Sequence, residues 1–120
     1  MANVHEIEIN GQPYELNFGM GFLEDIQKQQ AFSSNGAKMD AGLRVAVIGI
    51  HNGDVLQLWN VINTANRDAK VRITKQAFEQ HLDNASVEDI DNLFLQVEGF
   101  LTQSSSTGRT ARQVLMEFGE

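Results

Sequence analysis

Three histidines and one acidic run are the residues whose types could bind a metal or move a proton. His5, His51 and His81 lie far apart, and none belongs to an HxxxH or HExxH pattern, which would place two imidazoles on one helical face. The acidic run from Glu88 to Asp91 has neither the alternating carboxylates nor the central glycine of a calcium loop. We therefore predict no metal site.

Nucleophilic and phosphate-binding chemistry has no better support in the sequence. The serines of residues 104–106 lie in a polar run without a nucleophile elbow, and the chain contains no GxxxxGK phosphate loop. The chain has no cysteine, so a thiolate nucleophile is excluded as well. These patterns predict a protein that is not an enzyme, with no catalytic residue and no cofactor.

Composition narrows the class of protein further. The chain has 120 residues, which is enough for one domain, and 42% of them are hydrophobic. A net charge of −7 with only 9 Lys and Arg residues argues against nucleic acid and anionic membranes as partners. No segment has the pattern of a signal peptide or the roughly 20 apolar residues of a membrane span. We expect a soluble intracellular protein.

The first elements that the sequence predicts are a β-hairpin and a helix. Apolar and polar residues alternate from His5 to Phe18 around an Asn10-Gly11 turn, which is typical of a two-residue hairpin. The segment FLEDIQKQQ has helical periodicity. Ser33 to Lys38 then reads as a polar loop, and Asp40 is a candidate cap for the next helix.

Capping signals divide the rest of the chain into helices. Leu43 to Ile50 is predicted as a helix, with a buried strand as the alternative, and Asp54 begins a helix that runs to about Ala65. Thr74 and Ser86 are the predicted N-caps of two further helices, the second long and amphipathic. The fold class is therefore mainly α (α+β), an N-terminal β-hairpin packed on a bundle of about five helices.

The C-terminal segment is predicted to be separate from this domain. Residues 1–103 form the helical domain, and residues 104–120 form a flexible linker with a short helical arm, because Gln103 to Gly108 is polar and glycine-terminated. Three alternatives stay open for the arm. It packs on its own domain, docks on a partner, or frays, since so short a helix is unstable alone.

The stretch from Leu43 to Ala65 carries more apolar surface than one side of a small domain needs. Either the neighbouring elements of the same chain cover it, or a partner does. It also belongs to a longer pattern that resembles the tail assembly chaperones of long-tailed bacteriophages. The resemblance covers about residues 5–101 and rests on EIEINGQPYELNFGMGFLEDI, AGLRVAVIGIHNGDVLQLWNVINTA, ITKQAFEQHLDN and EDIDNLFLQVEGFL.

The resemblance implies a function and a set of partners. Such chaperones are largely helical with a small β element, bind the tape measure protein and help recruit tail tube subunits. A longer form of the chaperone, made by ribosomal frameshifting, is a further partner that the resemblance implies. A homo-oligomer is another candidate, because self-association would cover the apolar surplus of the middle stretch. The implied location is the cytoplasm of the infected bacterial host, with the chaperone absent from the mature virion. The alternative function is a structural tail or head-tail connector protein that stays in the virion.

Apolar burial and the resemblance together indicate which residues would contact a partner. A chaperone for a long apolar helical chain must offer apolar surface to it. The candidate partner-binding residues lie in the apolar middle stretch and in the C-terminal arm: Val47, Ile50, Leu58, Trp59, Val114, Leu115 and Phe118.

Overall fold

Two β-hairpins and six helices follow one another in a computed structural model, which describes residues 3–29, 31–34, 37–40 and 42–118. The described elements are β1 (Val4–Ile9), β2 (Gln12–Asn17), α1 (Met20–Lys28), β3 (Ala31–Ser34), β4 (Ala37–Asp40), α2 (Gly42–His51), α3 (Val55–Ala65), α4 (Lys75–Asn84), α5 (Val87–Gln103) and α6 (Gly108–Met116). This architecture confirms the predicted α+β class, with an N-terminal hairpin ahead of a mainly helical body.

The first hairpin forms where the sequence predicts it. Ile9 pairs with Gln12 across the turn, and Asn10 and Gly11 both have positive φ angles, 56° and 78°. Two consecutive positive φ angles are the requirement of a type I′ turn, which is why Asn-Gly favours it. Ile7, Ile9, Tyr14 and Leu16 are buried and the glutamates face outward, so the hairpin rests on the helices by one face.

The second hairpin corrects the sequence analysis. The segment from Ser33 to Lys38 was predicted to be a polar loop, but Ser33 and Lys38 pair with each other in antiparallel β3 and β4, while residues 35 and 36 lie outside the described residues. The segment lacks the apolar alternation on which the strand prediction depends. Asp40, the candidate cap of α2, is the last residue of β4, and its side chain lies outside what the structure describes. The backbone N–H of Leu43 donates to Oε1 of Gln27 at 2.9 Å.

Side-chain caps begin the later helices as predicted. The Asp54 carboxylate accepts hydrogen bonds from the first turn of α3, and Oγ1 of Thr74 accepts one from the N–H of Ala77. Ser86 forms a reciprocal capping box with Asp89 at the start of α5. Each cap satisfies backbone donors that have no partner inside the helix, and this fixes where each helix starts.

Helix α2 lies at the centre of the molecule and packs against α1, α3, α5 and α6. Its first residue is in close contact with α1: a Cβ on Gly42 would lie 1.6 Å from the carbonyl oxygen of Ile26, so only glycine fits there. The first hairpin and all six helices supply side chains to one core. The largest side chains that are fully buried in it are Phe18, Phe22, Ile7, Ile9, Leu16, Ile26, Leu58, Ile62, Leu101, Val47, Val61 and Val97.

A tight connection joins α5 to α6. Ser104 and Thr107 are buried, and Oγ1 of Thr107 donates to the carbonyl of Leu101 at 2.7 Å. Helix α6 packs on α2 and α5 and buries Ala111 and Val114. The sequence left three alternatives open for this helix, and in the structure it packs on its own chain.

The N-terminal hairpin contacts the same connection. Nε2 of His5 lies 3.2 Å from Oγ of Ser104, and the His5 ring stacks on Phe100 at a centroid distance of 4.4 Å. The backbone N–H of Ser106 also donates to the side-chain oxygen of Asn3. Residues about a hundred positions apart in the sequence are therefore joined by both polar and aromatic contacts.

Candidate partner interface

The structure places four of the seven predicted partner-binding residues in the core. The sequence did not show what covers the apolar surface of α2, and in the structure α5 and α6 pack against it. Val47, Ile50, Leu58 and Val114 are each at most 2% exposed. In this arrangement their side chains face their own chain.

The other three predicted residues retain accessible surface. Trp59 is half-buried and packs on Phe78, with ring centroids 5.3 Å apart. Leu115 is half-buried at the end of α6, and Phe118, which follows α6, is 42% exposed. The ring of Phe118 lies 4.7 Å from that of His51, at the C-terminal end of α2.

A groove opens next to this contact, between the end of α2 and the outer face of α5. Its volume is about 380 Å³, and it is lined by Ile50, His51, Asn52, Gly53, Asp91, Phe94, Leu95 and Glu98. Ile50 is buried and Phe94 half-buried, whereas Leu95 is 65% exposed. The accessible apolar lining therefore comes mainly from α5, from which Leu95 projects into solvent.

The charged side chains of the groove are mostly acidic. Asp91 is exposed, and Oε2 of Glu98 lies 3.3 Å from Nδ1 of His51. The α5 sequence contains Glu88, Asp89, Asp91 and Glu98 and no lysine or arginine. The apolar lining is therefore bordered by negative charge on the α5 side.

Contacts at the end of α6 hold the chain beside the groove. Nη2 of Arg44 donates to both carboxylate oxygens of Glu117, each at 2.9 Å, so α2 is tied to the residues that follow α6. His51 contacts Glu98 on one side and the Phe118 ring on the other. The histidine predicted to be without a chemical role therefore connects the groove with the C-terminal segment.

Leu95 is the residue that sequence reasoning undervalued. It falls outside the arc formed by the buried residues of α5, and because single exposed leucines are common, the helical pattern alone does not mark it as functional. The signal available from the sequence was this leucine between two acidic residues of the polar face, Asp91 and Glu98. Among the residues whose exposure the structure describes, the other exposed large apolar side chains are Met20, Val55, Leu56, Val71, Val87, Met116 and Phe118.

The comparison with protein families decides what kind of protein carries this groove. The sequence model of the family described as "Phage tail assembly chaperone protein, TAC" matches residues 6–115, almost the whole chain. The chain belongs to this family. No curated protein and no solved structure matched it.

The groove has an apolar lining and an acidic border. Apolar surface rimmed by polar residues is typical of protein interaction sites. Within the described residues, no group of three or more His, Asp or Glu side chains is placed to hold a metal ion. No described helix has the length and hydrophobicity that a bilayer crossing requires.

Proposed function

We propose that this chaperone binds the tape measure protein of its phage, keeps it in solution before the tail tube forms, and helps recruit tail tube subunits to it. The observation that carries the proposal is the family match over residues 6–115. The proposal includes action in the cytoplasm of the infected host and absence from the mature virion. Its further partners are a frameshifted longer form of the chain and a second copy of the chain.

The exposed apolar residues support this function physically. A tape measure protein is a long helical chain with apolar surface that aggregates unless it is covered. Apolar contact contributes roughly 25 cal/mol per Å², so shallow contacts repeated along a tape hold it while each stays reversible. The net charge of −7 favours solubility of the coated complex.

The seven residues proposed from the sequence divide into two groups. Trp59, Leu115 and Phe118 are accessible and are proposed to contact a partner directly. The four buried residues would reach a partner only if the helices around them separated, so their role stays a prediction. Acrylamide quenching of Trp59, the single tryptophan, tests the first group: contact with the tape measure protein protects it.

Co-expression tests the proposed function. The tape measure protein is produced in bacteria alone, with this chain, and with an unrelated acidic protein of similar size. We expect it in the insoluble fraction in the first and third cases, and co-purified in solution with this chain in the second. A tape measure protein that stays insoluble with this chain contradicts the proposal.

Analysis of purified phage particles separates the alternative function. A chaperone is absent from the particle by mass spectrometry, whereas a tail or connector subunit is present in several copies. The mainly helical fold supports the chaperone, because tail tube subunits are mostly β. Detection of the chain at stoichiometric levels in the particle would favour the structural role.

A further inference from the structure

We infer that the groove between α2 and α5 binds an amphipathic helix whose apolar stripe is flanked by lysine or arginine. The inference rests on the proposed function, under which this helix is a segment of the tape measure protein. It adds the site on the chaperone and the chemistry of the segment that the site accepts.

The apolar part of the site fits helix side chains. The groove volume of about 380 Å³ accommodates a few side chains and not a whole helix. Phe94 supplies the accessible apolar lining, because the neighbouring Ile50 is only 2% exposed, and the projecting Leu95 would lie between successive anchors of a bound helix. Anchors spaced three or four residues apart are the usual way in which a helix occupies such a groove.

The acidic residues of the site favour basic residues on either side of the apolar stripe of that helix. Asp91 and Glu98 border the apolar lining about two helical turns apart on α5, which has no basic residue. The third ionisable group in the lining is His51, which faces Glu98. Lysine or arginine beside the apolar stripe of a partner would pair with the two carboxylates, whereas an acidic flank would be repelled.

A second copy of this chain is the competing occupant. Its α6 exposes Arg109 and Arg112, which would suit an acidic groove. The apolar residues in the middle of that helix, Ala111 and Val114, are already buried in their own chain, which leaves the half-buried Leu115 and the exposed Met116 at its end. Each copy also carries a net charge of −7. Both facts favour a different, basic helix as the occupant.

Site-specific crosslinking tests the location. The chain has no cysteine, so Leu95→Cys creates a unique attachment point for a benzophenone maleimide. Val71→Cys is the matched control, because Val71 is also an exposed apolar residue and does not line the groove. With the tape measure protein co-expressed, light should crosslink it to position 95 and not to position 71. Peptide mapping should place the crosslink in a basic amphipathic helix.

Substitutions test the chemistry, with binding measured by fluorescence anisotropy on overlapping peptides of the tape measure protein. Leu95→Ser should weaken binding about tenfold, because apolar contact is lost, while Val71→Ser leaves it unchanged. Asp91→Lys should weaken it several-fold at low salt and less at high salt, while Glu79→Lys on α4 has no effect. All four residues are exposed, and circular dichroism checks that each variant folds.

The outcomes distinguish this inference from the proposed function. If the wild-type chain does not keep the tape measure protein in solution, both are wrong. If it does, but position 95 does not crosslink and the Leu95 and Asp91 variants bind normally, the groove is not the site and the proposed function stands. If position 95 crosslinks two copies of this chain and Leu95→Ser changes the sedimentation of the free protein, the groove is a contact between copies and the inference is overturned.

Discussion

The side-chain oxygen of Asn66 accepts a hydrogen bond from the buried backbone N–H of Ile73 at 2.7 Å. Its nitrogen donates to the carbonyls of Glu15 and Val71 at 2.9 and 3.1 Å, and the residue is fully buried. One amide thus connects β2, the end of α3 and the segment before α4. Asn66→Ala should lower the free energy of unfolding by about 3 kcal/mol in urea, since one buried N–H and two carbonyls in part-buried hydrogen bonds lose their partner. Asn92→Ala, at an exposed position, should change it little.

Because α1 and α2 are in close contact, adding one methyl group at position 42 should strongly destabilise the protein. Gly42→Ala places a Cβ on the carbonyl oxygen of Ile26, so the two helices must move apart at a cost of about 2 kcal/mol or more. Gly99→Ala is the control, because its Cβ would meet only Nε2 of Gln103, at 3.9 Å. In the interior of α5 this change should stabilise the protein by about 0.5–1 kcal/mol. Equal melting temperatures for the two variants would contradict the close contact.

Two leucines on α3 test which of its faces is covered in solution. Leu58 is 0% exposed and Leu56 is 79% exposed. Leu58→Ala should therefore lower the free energy of unfolding by about 3 kcal/mol, and Leu56→Ala by less than about 0.5 kcal/mol. Chemical denaturation measures both. A Leu58 variant as stable as the Leu56 variant would indicate that Leu58 faces outward, as expected of a partner contact.

The C-terminal helix offers a test of the division of the chain after residue 103. Val114 is fully buried against the rest of the molecule, whereas its neighbour Gln113 is exposed. Val114→Asp should lower the free energy of unfolding by about 3 kcal/mol or more, because a charge enters the core, and Gln113→Asp should have little effect. If thermal unfolding followed by circular dichroism is unchanged by Val114→Asp, residues 104–120 form an arm independent of the domain.

The elements that could be predicted from sequence are those determined by local chemistry. Asn10 and Gly11 determine the first hairpin through their backbone conformation, and Asp54, Thr74 and Ser86 determine helix starts through their side chains. None of these signals depends on distant parts of the chain. The second hairpin was missed although an Asn-Gly pair occupies residues 35 and 36, because its flanking residues have low β propensity.

The candidate site depends on packing that no local pattern contains. The periodicity of α2 and α3 shows that Val47 and Leu58 must be covered, but not that α5, α6 or another chain covers them. Leu95 borders a groove because α5 packs beside the end of α2, and that packing arises only when the helices assemble. Sequence periodicity therefore indicated which side chains must be buried, but it did not indicate which surface stays accessible to a partner.

The contact between His5 and Ser104 has a consequence for synthesis on the ribosome. The two residues are 99 positions apart, so the first hairpin is translated well before its polar partner emerges. At about 5–20 residues per second this interval lasts roughly 5–20 s. During that time His5 lacks its contacts with Ser104 and Phe100, and the groove between α2 and α5 can be complete only when translation has passed α5.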